Sequence, residues 1–213
     1  MNKDFWPEGK KFAFTIIDDT DNSTLDNAPL IYDYLHQNEV LTTKSVWVRE
    51  GSKDSYYGSV NGDTLANEEY LKWVKELKRN GFEICLHSTS WSRSTRIEIL
   101  EGIEFFESHF GRSKTLVQHN DIKDCESIYW GSKRFIEPLS WIFQALSYIN
   151  PRGVNSKSYQ GENEESVYFW GDICQKKIDY IRSLTFPEVN LFAITEDILH
   201  KRKKTEYVNS WFI

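Results

Sequence analysis

Four short runs of apolar, β-branched and aromatic residues recur in the first half of the chain, spaced by stretches of helical periodicity. They are FAFTIIDD (Phe12 to Asp19), KSVWVRE (Lys44 to Glu50), FEICLHS (Phe82 to Ser88) and KTLVQHN (Lys114 to Asn120). Between the first two, Leu30, Ile31 and Leu35 fall at helical spacing. Asn67 to Gly81 reads as a helix with an Asn cap, acids in its first turn, a stripe of Leu71, Val74 and Leu77, and a closing Gly. Thr95 to Gly111 reads as another, with Ile99, Ile103, Phe106 and Phe110 on one face. Strands that alternate with helices imply βαβ units, because a parallel neighbour is reached only through a crossover. The first run is apolar enough to suggest a strand buried on both faces. Later segments are less regular. Leu139 to Ile149 and Gln175 to Ser183 read as helices, and VYFW (Val167 to Trp170), NLFAIT and YVNSWFI as strands. The count of about six or seven strands fits an open doubly wound sheet or an incomplete barrel. Either form places functional groups at the carboxyl ends of its strands.

The chain's 213 residues suit one domain, and 39% hydrophobic with 27% charged residues is a globular balance. A formal charge of −6 argues against a nucleic-acid partner, which calls for a basic patch. No segment has the roughly 18 apolar residues of a membrane span. The first residues, MNKDFWPEGKK, lack the apolar core of a secretion signal, so a cytoplasmic location is expected. Cys85, Cys125 and Cys174 are widely spaced and form no CxxC pair, as expected of reduced thiols.

Three of the four runs end in groups able to bind a metal or a proton: Asp18 with Asp19, then His87, then His119. A double acid directly after an apolar run is costly to bury. Regular strand geometry would send the two carboxylates to opposite faces, but a turn at the strand end could bring both to one site. The competing reading is loop hydrogen bonding and helix capping within DDTDNST. A lone strand-end histidine is usually structural. Carboxylate and imidazole donors on three strand ends together suit a divalent cation, zinc being the expected one. His36 and His109 lie in helical patterns, and His200 heads the basic run HKRKK.

At Thr15-Ile16-Ile17-Asp18-Asp19-Thr20 and Gly81-Phe82-Glu83-Ile84-Cys85-Leu86-His87-Ser88, the sequence resembles the polysaccharide deacetylase family, also called the NodB-homology or carbohydrate esterase 4 group. The likeness spans Phe12 to Asn120. QHN, IYWGSKRF, VYFWGDI, YIRSL and VNSWF further resemble its WbmS-like branch. The resemblance implies an α/β fold, a distorted (β/α) barrel of about seven parallel strands, formed by a single domain over 1–213. It implies Asp18 as catalytic base, Asp19 and His87 as metal ligands, and Ser88 as support for the metal loop. The family's second histidine falls at Trp91, a departure, and topology offers His119 as a replacement ligand. The implied chemistry is metal-dependent hydrolysis of an N- or O-acyl group on a sugar or polysaccharide precursor, with no secure match for the general acid. Trp91, Tyr129 and Trp130 are candidates to stack on sugar rings, in a chain whose aromatic content is 15%. The expected substrate is a precursor linked to a nucleotide or lipid carrier. The ending WFI suggests a chain shortened relative to others of the family.

Two other readings compete. The departure at Trp91 fits an inactive, sugar-binding relative of the same fold. Asp19-Thr20-Asp21-Asn22-Ser23 also approaches the nucleophile motif of haloacid-dehalogenase phosphatases, with Asp19 attacking phosphorus and Asp21 as acid/base. Ser23 departs from that motif, and it leaves His87 without a role.

Overall fold

The computed structural model describes residues 14–51, 62–118, 160–161 and 163–182. Within them the order is β1 (Ile17–Asp18), α1 (Ala28–Gln37), β2 (Thr43–Val46), α2 (Glu68–Arg79), β3 (Glu83–His87), α3 (Arg96–Phe110), β4 (Thr115–Val117), α4 (Gly171–Lys177) and β5 (Tyr180–Arg182). The strands form one parallel sheet in the order β1-β2-β3-β4-β5. A doubly wound sheet reverses direction at a switch point near its first strand. Among the described residues the sheet advances one strand at a time with no reversal, the order of a singly wound or barrel-type sheet.

Register separates the faces. Val46, Leu86, Leu116 and Ile181 pair across β2 to β5 as one row, and all four are buried. That row packs with Val74 of α2, Ile99, Ile103 and Phe106 of α3, and Ile173 of α4 as the main core. Each such side chain contributes about 1.5–3 kcal/mol by leaving water. The alternate residues, Thr43, Ser45, Cys85, His87 and Val117, face the other way. This second face is polar around buried groups, and the Thr43 hydroxyl donates to Glu83 at 2.6 Å.

Local chemistry explains the helix bounds. Asn67 accepts from the amides of Glu69 and Tyr70 at the start of α2. Replacing Asn67 by Ala should cost about 1 kcal/mol, seen as a lower urea midpoint at unchanged slope. Thr95 and Glu98 form a capping box at the start of α3, and Gly81 follows α2 at a φ of 97°.

Four expectations change. β1 spans only Ile17–Asp18, and Phe14 and Ile16 are exposed by 79% and 37%, so the first run is not buried on both faces. In α1 it is Ala28 and Tyr32 that face inward, while Leu30 and Ile31 face outward. Val167 to Trp170 is turn and irregular chain rather than strand. The helix expected at Gln175 to Ser183 is instead the end of α4 followed by β5, because pairing with β4 overrides the helical spacing of that segment. The segments at 139–149, 190–195 and 207–213 lie outside the described residues. No described helix is long and apolar enough to cross a membrane.

Candidate metal centre

His87 ends β3 and is 1% exposed. Its Nδ1 lies 2.8 Å from the Val117 carbonyl of β4, so this nitrogen carries the proton and donates. Nε2 is thereby directed at two carboxylates, 3.0 Å from Asp19 Oδ1 and 3.3 Å from Asp21 Oδ1. Burial pulls the His87 pKa down, but the hydrogen bonds to Asp19 and Asp21 outweigh it and hold it above the usual imidazole value. Burial likewise pushes Asp19 up, and the hydrogen bond and charge of His87 hold it below the ordinary carboxylate value.

Asp19 and Asp21 are carried by the turn that leaves β1. The Asp21 amide donates to Asp19 Oδ1 at 3.3 Å, Asn22 takes a φ of 59°, and the Ser23 amide donates back to the Thr20 carbonyl at 3.0 Å. A second segment holds the turn from outside. Asp63 donates its amide to Ser23 O at 2.8 Å and accepts from the Leu25 amide at 2.8 Å. Gly62 lies so close that a Cβ there would sit 3.0 Å from Trp47 and 3.2 Å from Thr20 O.

The imidazole is buttressed as well. Trp47, fully buried, stacks on His87 with ring centroids 5.4 Å apart and planes at 10°. Trp91 meets Trp47 edge-on at 5.1 Å. Gly51 makes room for it, since a Cβ there would be 2.5 Å from Trp91 Cδ1. Ser88 follows His87 with a φ of 48°, a left-handed conformation that costs energy for a non-glycine residue. Its amide donates to the same Val117 carbonyl that receives the His87 proton. Beyond it, Thr89 to Ser94 fold into a buried hydroxyl network, with Thr89 Oγ1 donating to Ser94 Oγ at 3.0 Å and Ser90 Oγ to Ser92 O at 2.9 Å.

Arg49, in the loop after β2, donates to Ser94 Oγ of this network at 3.3 Å and reaches Glu98 of α3 at 2.9 Å. The Arg49 hydrogen bond holds the Glu98 carboxyl down to about 2, from an ordinary value of 4.5. A lowered carboxylate pKa adds stability above the unfolded value, which is lost as pH falls through the folded value. Glu98→Gln should therefore lower the thermal midpoint at neutral pH, with the gap to wild type closing as the pH falls from about 4.5 toward 2.

The donor set fits a divalent cation. Asp19, Asp21 and His87 each offer a ligand atom, and these atoms lie within 4.8 Å of one another. Two carboxylates and an imidazole suit zinc and its first-row neighbours. The Nδ1-to-carbonyl bond that orients His87 is the outer partner a metal-binding histidine ordinarily has.

Of the expected site residues, Asp19 and His87 come together. Asp18 does not join them. It pairs in register with Lys44, and its Oδ2 accepts from Lys44 Nζ at 2.9 Å and from the Tyr32 hydroxyl at 2.8 Å, on the helix side of the sheet. The strand stays regular through Asp18, so the adjacent acids diverge. Trp91 lies beside the group and braces Trp47. His119, Tyr129 and Trp130 lie outside the described residues. Asp21 enters the group although the cation reading from sequence did not include it. Its signal was the two-residue spacing from Asp19 within a turn.

Comparison with protein-family models, with curated proteins and with solved structures finds no match to this chain.

Proposed function

We propose that the chain is a metal-dependent hydrolase of the polysaccharide-deacetylase type, removing an acyl group from a sugar or polysaccharide precursor. In this reading the five-stranded sheet is part of a distorted (β/α) barrel of about seven strands. The observation that carries it is the convergence of Asp19, Asp21 and His87 at the carboxyl ends of β1 and β3, where the resemblance at FTIIDD and GFEICLHS expects a metal centre. Asp21 is proposed as a ligand beside Asp19 and His87. Asp19, Asp21 and His87 would hold a divalent cation, zinc in the first instance, which when bound would supply Lewis-acid polarisation of the acyl carbonyl and a more acidic water. The chain's own residues do the rest. His87 is presented through Nε2 and kept rigid by Val117 and Trp47. A carboxylate oxygen of Asp19 or Asp21 would accept the water's proton. The exposed side of the group, where the Asp19 side chain is 51% exposed, admits substrate, with Trp91 at its border.

The test is elemental analysis of the purified chain together with acetate release from acetylated oligosaccharides and acetylated sugar nucleotides. One equivalent of divalent metal and chelator-sensitive acetate release are expected. A metal-free chain whose stability is unchanged by chelator would overturn the reading.

One observation favours the non-catalytic alternative, a sugar-binding relative: Asp18, the resemblance's base, is held by Lys44 and Tyr32. Metal binding without acyl release would select it. The phosphatase reading is weakened by the sheet order, because β1 lies at one end of the described sheet rather than at a switch point.

A further inference from the structure

Lys44 sits in the middle of β2 and its side chain is wholly buried. Burying an ammonium is unfavourable unless it is paired and hydrogen-bonded. Its two contacts bracket one short stretch of chain. Nζ lies 2.9 Å from Asp18 Oδ2, one residue before Asp19, and 3.0 Å from Ser23 Oγ, two residues after Asp21. The neighbouring Ser45 hydroxyl donates to the Asp18 carbonyl at 2.7 Å, and the Tyr32 hydroxyl shares Asp18 Oδ2 at 2.8 Å. β2 therefore grips both ends of the turn that carries the two carboxylates. The charge is placed to help. The ammonium lies on the face of the sheet opposite His87 and is matched by Asp18, so it does not take the place of a cation between Asp19 and Asp21.

We propose that Lys44 is a positioning residue: by clamping Asp18 and Ser23 it fixes the turn between them and so sets how tightly, and in what geometry, Asp19, Asp21 and His87 hold a divalent cation. This rests on the cation reading of that group. Groups that orient metal ligands from outside typically change affinity about 10–100-fold when lost. Lys44 would do so through the backbone rather than by touching a ligand.

The experiment is calorimetric titration of the metal-free full chain with Zn²⁺, with the visible spectrum of the Co²⁺-loaded protein as a geometric readout. Lys44→Met is expected to weaken Zn²⁺ binding by about 10–100-fold and to change the Co²⁺ band positions. Val74→Ala, a core change on α2, controls for general destabilisation and should leave both readouts at wild-type values. If Lys44→Met does not fold, Ser23→Ala and Asp18→Ala each remove one arm of the clamp, and each should weaken Zn²⁺ binding in the same direction. Wild-type affinity and an unchanged Co²⁺ spectrum in folded Lys44→Met, or in both single-arm variants, would overturn the clamp while leaving the cation site standing. Failure of the wild-type chain to bind Zn²⁺ would overturn both.

Discussion

His87→Ala is expected to abolish divalent-cation uptake, weakening it by at least about 100-fold, the upper end of what losing an outer partner alone costs. The size follows from what the imidazole does. Nε2 is within 3.0 Å of Asp19 and 3.3 Å of Asp21, and it is the buried member of the group. Without it, two partly exposed carboxylates remain on a turn, and such pairs hold cations weakly where water reaches them. His87→Gln separates ligation from packing, since it keeps volume against Trp47 but offers no imidazole nitrogen. Both variants should be metal-free by elemental analysis after gel filtration. One equivalent of bound metal in folded His87→Ala would remove His87 from the site. Uptake by the wild type should also fall on acidification, because protons compete for all three donors.

The second large effect concerns the fold. Phe106→Ala should cost about 3–5 kcal/mol, the usual range for a fully buried aromatic. Phe106 is 0% exposed, its ring lies 5.1 Å from that of Phe110, and it packs in the core that α2, α3 and α4 build on the sheet. Urea unfolding measures the change directly. A loss under about 1 kcal/mol would mean that α3 is held mainly by its capping box and loop contacts rather than by the core.

The residues that sequence patterning placed correctly are those whose position depends on local rules. The stripe of Ile99, Ile103, Phe106 and Phe110 is buried as its spacing required, and Asn67 caps the helix it precedes. Asp19 and His87 were legible because strand parity and strand ends are readable in sequence. Lys44 was not, since a lysine in a strand ordinarily reads as solvent-facing and its partners stand 26 and 21 residues away. Asp21 was overlooked as a ligand because turn geometry has no period to read. The segment at Tyr180 failed for a third reason. Its helical spacing was genuine, but the strand it forms depends on β4, far away in sequence.

The Val117 carbonyl receives both the His87 Nδ1 proton and the Ser88 amide. Which nitrogen of the histidine faces outward is therefore decided by the neighbouring strand, not by β3 itself. If β4 paired one residue out of step, that carbonyl would leave its place and the outward nitrogen would lose its assignment. On the proposed cation reading, cation affinity would then report strand alignment. During refolding, tight binding should appear only after β3 and β4 have paired correctly, and the cation would favour that one pairing over its neighbours.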